Sequence, residues 1–423
     1  MIDIKFLREN PDAVRQGARA KNVEVDIDAI LKLDAERRRL IAESESIKAA
    51  QNKASEEISK EKDAAVRQSK IAAVKESKEK FKALELGLQK AEGDLEKAMR
   101  LIPNLPRPDV KIGKDDSENY VIRTHKEPTK FPFEPKDYMT LGEQLDIIDT
   151  DRAAKVSGAR FGYLKGDGAL LEFALVQYAL SELVPEGFVP VVPPVMIGEK
   201  AMSAMGYLDR GRDEIYHLPS DNLYLVGTSE QSIGPMYTDE TFREADLPLR
   251  HVGFSTCFRR EAGSYGKDTR GILRVHQFDK LEMFSFVLPE ESDKEHERLL
   301  AMEEKLLQGL GLPYHVLGIC SGDLGDPAAR KFDIEAWIPS QKTYRETHST
   351  STCTDYQARR LNIRVRRNDG RTEFLHMLNG TAFAIGRTII AILENFQQAD
   401  GSIEIPAVLL PYMGGKTHIT KRK

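Results

Sequence analysis

Residues 257–286 read Cys-Phe-Arg-Arg-Glu-Ala-Gly-Ser-Tyr-Gly-Lys-Asp-Thr-Arg-Gly-Ile-Leu-Arg-Val-His-Gln-Phe-Asp-Lys-Leu-Glu-Met-Phe-Ser-Phe. Two strand-like runs flank a cationic loop in which Lys267 and Arg270 supply charge. Gly263, Gly266 and Gly271 punctuate the loop and admit tight or positive-φ turns. Alternation of period two places Arg274, His276, Phe278, Lys280 and Glu282 on one face of the second run. At roughly 3.3 Å per residue, Arg274, Phe278 and Glu282 form a row spaced by about 13 Å. That row offers a cation for phosphate, an aromatic plate for a base and a carboxylate for an amine or hydroxyl. Arg259 and Glu261 share a face at the end of the first run. In isolation the stretch also fits an amphipathic surface hairpin, so the remaining segments decide its meaning.

A chain of 423 residues accommodates one large core and a smaller module. With 30% charged and 7% aromatic residues, a sizeable part should be solvated helix. A net charge of −5 excludes bulk electrostatic attraction to nucleic acid, so any such binding must use local patches. The three cysteines, Cys257, Cys320 and Cys353, show neither metal-ligand spacing nor a disulfide framework. The opening Met-Ile-Asp-Ile-Lys-Phe lacks a secretion-signal pattern, and no apolar run approaches ~18 residues. A soluble, cytoplasmic protein with reduced thiols is expected.

After a short helical opening over 5–21, hydrophobic residues recur at heptad spacing: Leu33, Leu40, Ile47 and Ala54, with Ile30 and Ile58 on the complementary seam. Arg37, Ser44 and Gln51 interrupt that seam. A second register runs through Val74, Phe81, Leu88, Leu95 and Ile102. Two such runs around a polar stretch at 59–63 predict an antiparallel helical hairpin, each limb of about 35 residues extending ~50 Å. Lys48, Lys53, Lys60, Lys62, Arg67, Lys70, Lys75, Lys78 and Lys80 populate its tip and flanks, interleaved with Glu. These fit a solvated coiled-coil surface or a contact face for a structured RNA. The prolines of Leu101-Ile-Pro-Asn-Leu-Pro-Arg-Pro end the second limb. The division expected is therefore 1–110 and 111–423.

In the second part, 157–168 reads as a hairpin-like element and 169–183 as a buried helix. Gly187-Phe-Val-Pro-Val-Val-Pro-Pro-Val-Met-Ile reads as a strand that its prolines confine to an edge or a subunit interface. Trp337, in the strand-like run 331–339, is expected in the core. Tyr344-Arg-Glu-Thr-His-Ser349 is a polar strand on which Glu346 and His348 share a face, and Glu346 with Ser349 suits a hard cation such as Mg²⁺. Arg387 falls near a helix start, where backbone N–H groups also favour anions. There is no GxxxxGK[ST] and no strand–GxGxxG–helix fingerprint, so nucleotide binding should be of an antiparallel-sheet kind.

Together these segments resemble the class II aminoacyl-tRNA synthetases, and most closely the seryl-tRNA synthetase family. Gly187 to Met196 resembles its motif 1, with Pro194 the characteristic proline; Phe258-Arg-Arg-Glu261 through Glu282 resembles motif 2, and Gly386-Arg387 motif 3. Serine-specific pieces are Thr228-Ser-Glu230, Tyr344-Arg-Glu346, Cys353-Thr-Asp-Tyr-Gln-Ala-Arg-Arg360 and Leu378-Asn-Gly-Thr381. The resemblance implies an α+β fold: an antiparallel β-sheet flanked by helices, carrying an N-terminal antiparallel helical hairpin as a coiled-coil arm that grips tRNA. It also implies a homodimer that activates L-serine with ATP and Mg²⁺ and charges tRNA(Ser), with tRNA(Sec) as an open second acceptor and neither a membrane nor a DNA partner.

By the same resemblance, Arg259, Glu261 and Arg387 carry catalysis. Arg259 holds the α-phosphate and the serine carboxylate. Glu261 reads the adenine edge, Phe278 and Arg387 sandwich the ring, and Arg274 meets the phosphate tail. Arg260, Val275, Thr347, His348 and Ser349 complete the ATP set. Glu346 and Ser349 hold the metal. Thr228, Ser229 and Glu230 belong to the serine amine side, and Glu282, Asn379 and Thr381 to the hydroxyl side. Two departures stand out: the family often reads Glu-x-Ser-Ser where this chain has Glu346-Thr-His-Ser349, and Asn-Gly-Ser-Gly where it has Asn379-Gly-Thr-Ala382. A paralogue loading a carrier protein and a non-catalytic RNA-binding protein are the competing classes.

Overall fold

The computed structural model describes residues 1–263 and 270–421. The chain divides into two compact units, one of residues 2–19 and 23–103, the other of residues 1, 20–22 and 104 onward.

The first unit holds α1 (Ile4–Glu9), α2 (Pro11–Ala20), α3 (Ile27–Lys60) and α4 (Ala64–Arg100). The expected single opening helix is broken, because Pro11 has no N–H to continue α1 and instead starts α2. Asp26 caps α3 by accepting from Ala29 N, and Asp63 caps α4 by accepting from Ala65 N and Val66 N, which closes a three-residue turn. Burial concentrates at the base of this hairpin. Ile30, Leu40, Ala91, Leu95 and Met99 are buried, whereas nothing from 41 to 90 is, and Ile47, Ala54, Val74, Phe81 and Leu88 are only half-covered. Two of the polar seam residues find partners on the opposite limb: Arg37 Nε lies 3.2 Å from Glu92 Oε1, and Gln51 donates to Ser77 Oγ at 3.1 Å. Such pairs specify register at a cost in stability.

In the second unit eight strands form one sheet: β1 (Tyr120–His125), β2 (Phe188–Val191), β3 (Leu249–Phe258), β4 (Gln277–Val287), β5 (Tyr314–Gly318), β6 (Arg330–Ile338), β7 (Thr343–Thr352) and β8 (His376–Ala384). Their order is β1-β5-β6-β7-β8-β4-β3-β2. Every pairing is antiparallel except that of β2 with β3. Helices α5 (Asp167–Leu183), α6 (Ser292–Leu310) and α7 (Ile385–Asn395) bury Leu171, Leu175, Leu299, Leu306, Ile389 and Leu393 in one core with Leu281, Met283 and Phe383 of the sheet. Gly311, at φ +77°, closes α6 in the left-handed conformation that glycine adopts without a Cβ clash. No helix among the described residues is long and apolar enough to cross a membrane.

Several expectations shift. The strand from Gly187 splits at Pro193-Pro194 into β2, an edge strand as its prolines require, and a short strand Met196–Gly198 in a separate sheet. Within 157–168 only Tyr163–Leu164 is strand, and it pairs with Ile148–Asp149 rather than with its own neighbours. β4 begins at Gln277, so Arg274 and His276 precede the ladder. Trp337 is half-buried and packs edge-on against Tyr344 with ring centroids 5.1 Å apart, outside the core.

Helix α6 is bolted to the sheet by a bidentate pair. Arg250 of β3 donates to both oxygens of Glu295 at 2.7 and 2.6 Å, and Ser285 of β4 donates to the same carboxylate at 2.8 Å. Removing one partner of a largely buried pair strands the other charge. Glu295→Ala is expected to destabilise this unit by about 3 kcal/mol, read as a lower urea midpoint.

Candidate active site

Strands β4, β7 and β8 line a cavity of about 320 Å³, which α7 and the turns after β3 complete. At its deep end, the turn following the short strand Leu223–Leu225 delivers Thr228 and Glu230, β4 delivers Lys280 and Glu282, and β8 delivers Asn379 and Thr381. All six are buried. The Lys280 ammonium lies 2.5 Å from Glu282 Oε2 and donates to Thr228 Oγ1 at 3.3 Å. Burial, opposed by Lys280 and reinforced by the nearby Glu230, pushes the Glu282 carboxyl up to about 7. Burial likewise raises Glu230, against the pull of Lys280 and of the Tyr207 phenol that donates to it. Cys353 closes the same end, 3.8 Å from Asn379 Nδ2, and burial holds its thiol un-ionised.

The outer end carries the cations. Arg259 leaves β3 with its guanidinium 5.2 Å from the Phe278 ring and its Nε donating to Gly227 O at 3.2 Å. Glu261 sits at φ +52°, and its carboxylate lies 3.6 Å from Arg274. On the far wall Arg387, in the first turn of α7, lies 3.3 Å from Glu346 Oε1 and donates to Glu346 O at 3.0 Å. Desolvation opposes ionisation of Glu346, yet Arg387, Lys331 and Arg259 outweigh it and hold the carboxyl down at about 2. Ser349 lines the cavity opposite Asp333 of β6, whose Oδ1 is buried without a hydrogen-bond partner. The other oxygen of Asp333 lies 3.2 Å from Lys331, so the donors that face the cavity are the Glu346 carboxylate and the Ser349 hydroxyl, a pair of the kind a hard divalent cation takes.

Most of the residues expected from the sequence therefore meet at one cavity: Thr228, Glu230, Arg259, Glu261, Arg274, Val275, Phe278, Glu282, Glu346, Thr347, Ser349, Asn379, Thr381 and Arg387. Three do not. Ser229 turns its hydroxyl onto Gly253 O at 3.3 Å, beneath the cavity wall. Arg260 lies over the Tyr216 ring, 5.7 Å from its centroid, and lines a neighbouring depression with Arg212 and His217. His348 is turned away because the β6–β7 ladder shifts register between Ile334 and Glu335, so Ile334 faces His348 while Glu335 faces Glu346. The extra residue, Thr347, breaks the alternation, and His348 is buried with Nε2 2.9 Å from Ala382 O. Glu346 and His348 thus do not share a face, which corrects the period-two reading. Of the cationic loop, Gly266 and Lys267 lie outside the described residues; Gly271, at φ +79°, occupies a spot where a Cβ would sit 1.9 Å from the Tyr138 hydroxyl.

Of the lining residues that sequence reasoning does not assign to the site, Lys280 and Tyr207 bear directly on Glu282 and Glu230. Lys280 was on the alternating row, a usable signal. Tyr207 follows no periodic element, and nothing in its local sequence marks it.

Comparison with known proteins agrees with this geometry. The sequence profile of the tRNA synthetase class II core domain (G, H, P, S and T) matches residues 216–396, and that of the seryl-tRNA synthetase N-terminal domain matches residues 1–106. A serine–tRNA ligase of Clavibacter michiganensis is 49% identical over 98% of this chain and 97% of its own, and one of Nocardia farcinica is 47% identical over 98% of each. The crystal structure of seryl-tRNA synthetase from Pyrococcus horikoshii complexed with ATP superposes with a TM-score of 0.93 at 38% identity, covering 100% of both chains. A cavity with a cation-lined outer end and a small polar deep end, on this sheet, in a chain so alike along its whole length, places the protein in the seryl-tRNA synthetase family.

Proposed function

We propose that the cavity condenses L-serine with ATP to seryl-adenylate and then passes the seryl group to the 3′ end of tRNA(Ser). The observation that carries this reading is the position of Arg259, which joins a cationic, aromatic trough to a small acidic pocket. In the trough, Phe278 and Arg387 take the adenine between them, Glu261 reads its edge, and Arg259 and Arg274 take the phosphates. In the pocket, Glu230 and Thr228 receive the serine ammonium, while Glu282, Asn379 and Thr381 receive its hydroxyl. Lys280 is the nearest cation to Glu282, with Arg259 acting on both Glu230 and Glu282, and an incoming ammonium adds a third positive partner for the two carboxyls. An analogue without the hydroxyl leaves those buried groups unpaired, which is the strong form of discrimination.

In the first step a serine carboxylate oxygen bonds to the α-phosphorus as the bond to pyrophosphate breaks. In the second, the terminal hydroxyl of tRNA attacks the seryl carbonyl, losing its proton, and AMP departs. No side chain becomes covalently linked; the acceleration comes from alignment and from guanidinium groups around the developing phosphate charge. Glu346 and Ser349 would hold Mg²⁺, which supplies further positive charge beside the phosphates.

The helical hairpin is read as the tRNA-binding arm. Lys60, Lys70 and Lys80 are paired with Glu56, with Glu57 and Glu61, and with Glu76. Lys48, Lys53, Lys62, Arg67, Lys75 and Lys78 have no ion pair among the described residues, which leaves them to phosphate. A homodimer is supported by the edge position of β2 and by exposed Val189, Val192, Leu170 and Phe173.

Arg259→Ala is expected to lower serine-dependent ATP–pyrophosphate exchange by about a thousandfold; exchange at the original rate contradicts the assignment. Removal of residues 35–95 is expected to leave exchange intact and abolish tRNA charging, measured with radiolabelled serine. Charging that survives the deletion removes the arm from tRNA binding.

A further inference from the structure

The loop of residues 324–328 forms part of the cavity wall through Leu324, Gly325, Pro327 and Ala328. Its backbone belongs to no strand, so its carbonyls need partners from elsewhere. Two residues supply them. The Lys21 ammonium donates to Gly325 O at 2.7 Å, to Asp326 O at 3.3 Å and to Ala328 O at 2.5 Å. Asn104 donates its backbone N–H to Asp326 O at 2.9 Å and its carboxamide to Pro327 O at 2.9 Å and Cys353 O at 2.8 Å. Neither side chain lines the cavity, yet between them they hold four consecutive carbonyls of its wall.

We infer that Lys21 and Asn104 are positioning residues for the amino-acid end of the cavity, setting the loop 324–328 against Cys353 and the groups that bind the small substrate. This rests on the functional reading above.

The chemistry of Lys21 favours a precise role over generic stability. It is 7% exposed, and burial pulls its ammonium down to about 7, partly resisted by Asp326. An apolar side chain would fill that space without the desolvation cost, whereas three N–H donors converging on three carbonyls fix the course of the backbone. The same loop is tied onward: Arg210 lies 2.6 Å from Asp326, and Arg210 follows Tyr207, the donor to Glu230, by three residues. A displaced loop therefore reaches both Cys353 and Glu230, at one end of the cavity only. In sequence the two residues mark where the chain leaves this unit for the helical hairpin and where it returns.

The test uses the full chain and ATP–pyrophosphate exchange, with serine and ATP varied in turn, for Lys21→Met and Asn104→Ala. The serine KM is expected to rise about tenfold in each while the ATP KM stays within about twofold. Asn104→Ala leaves the ammonium in place and carries the test alone if Lys21→Met does not fold. Unchanged serine KM in a folded variant overturns the inference. So does an equal rise in both KM values with a lowered melting temperature, which marks a merely structural role. Absence of exchange in the unsubstituted chain overturns the functional reading itself and is distinguishable from either.

Discussion

One buried ammonium makes the deep end of the cavity possible. Two carboxyls, Glu230 and Glu282, are almost wholly removed from water there, and each would cost several kcal/mol to ionise without a partner. Lys280 lies 2.5 Å from one of them and favours the ionised form of both, against the burial that raises them. Arg259 adds a weaker pull in the same direction on each. A small cavity lined by two acids and by Asn379 and Thr381 suits a small zwitterion bearing a hydroxyl better than a larger or uncharged molecule. Cavity and fold are thus tied to the same strand, since β4 carries Lys280, Glu282 and Phe278 while pairing on both sides.

Much of this was legible in the sequence because it follows from short-range periodicities. The heptads gave both limbs of the hairpin and its turn, the prolines placed β2 at an edge, and alternation along residues 277–282 put Phe278, Lys280 and Glu282 on one face. Alternation failed where an extra residue entered the ladder. Thr347 occupies a shift between β6 and β7, so Glu346 reaches the cavity and His348 does not. A bulge costs nothing visible in composition, and only the pairing partner reveals it. The unusual Glu-Thr-His-Ser run is explained by the same shift: its histidine faces Ala382 O and the Phe383 ring, an environment that accepts a neutral imidazole.

Other contributors were hidden by distance along the chain. Tyr207 meets Glu230 across a turn, and Lys21 and Asn104 bond residues more than two hundred positions away. No local pattern encodes such contacts. The residues that touch a substrate tend to sit on regular elements and can be read from their period, whereas those that hold the wall in place arrive from segments whose own sequence is unremarkable. Arg260 shows the reverse error: adjacent to Arg259, it points the other way, its backbone N–H donating to Glu214 O and its guanidinium lying over Tyr216.

The placement of Trp337 has an optical consequence. It is the sole tryptophan, and residues 1–103 contain no tyrosine either, so the hairpin is nearly silent in near-ultraviolet absorption and emission. The indole stacks edge-on against Tyr344, two residues before Glu346. Emission excited on the red edge of the indole band therefore arises from the β6–β7 ladder, at the pair Trp337–Tyr344. The chain carries a built-in spectroscopic probe of that ladder, free of signal from the helical hairpin.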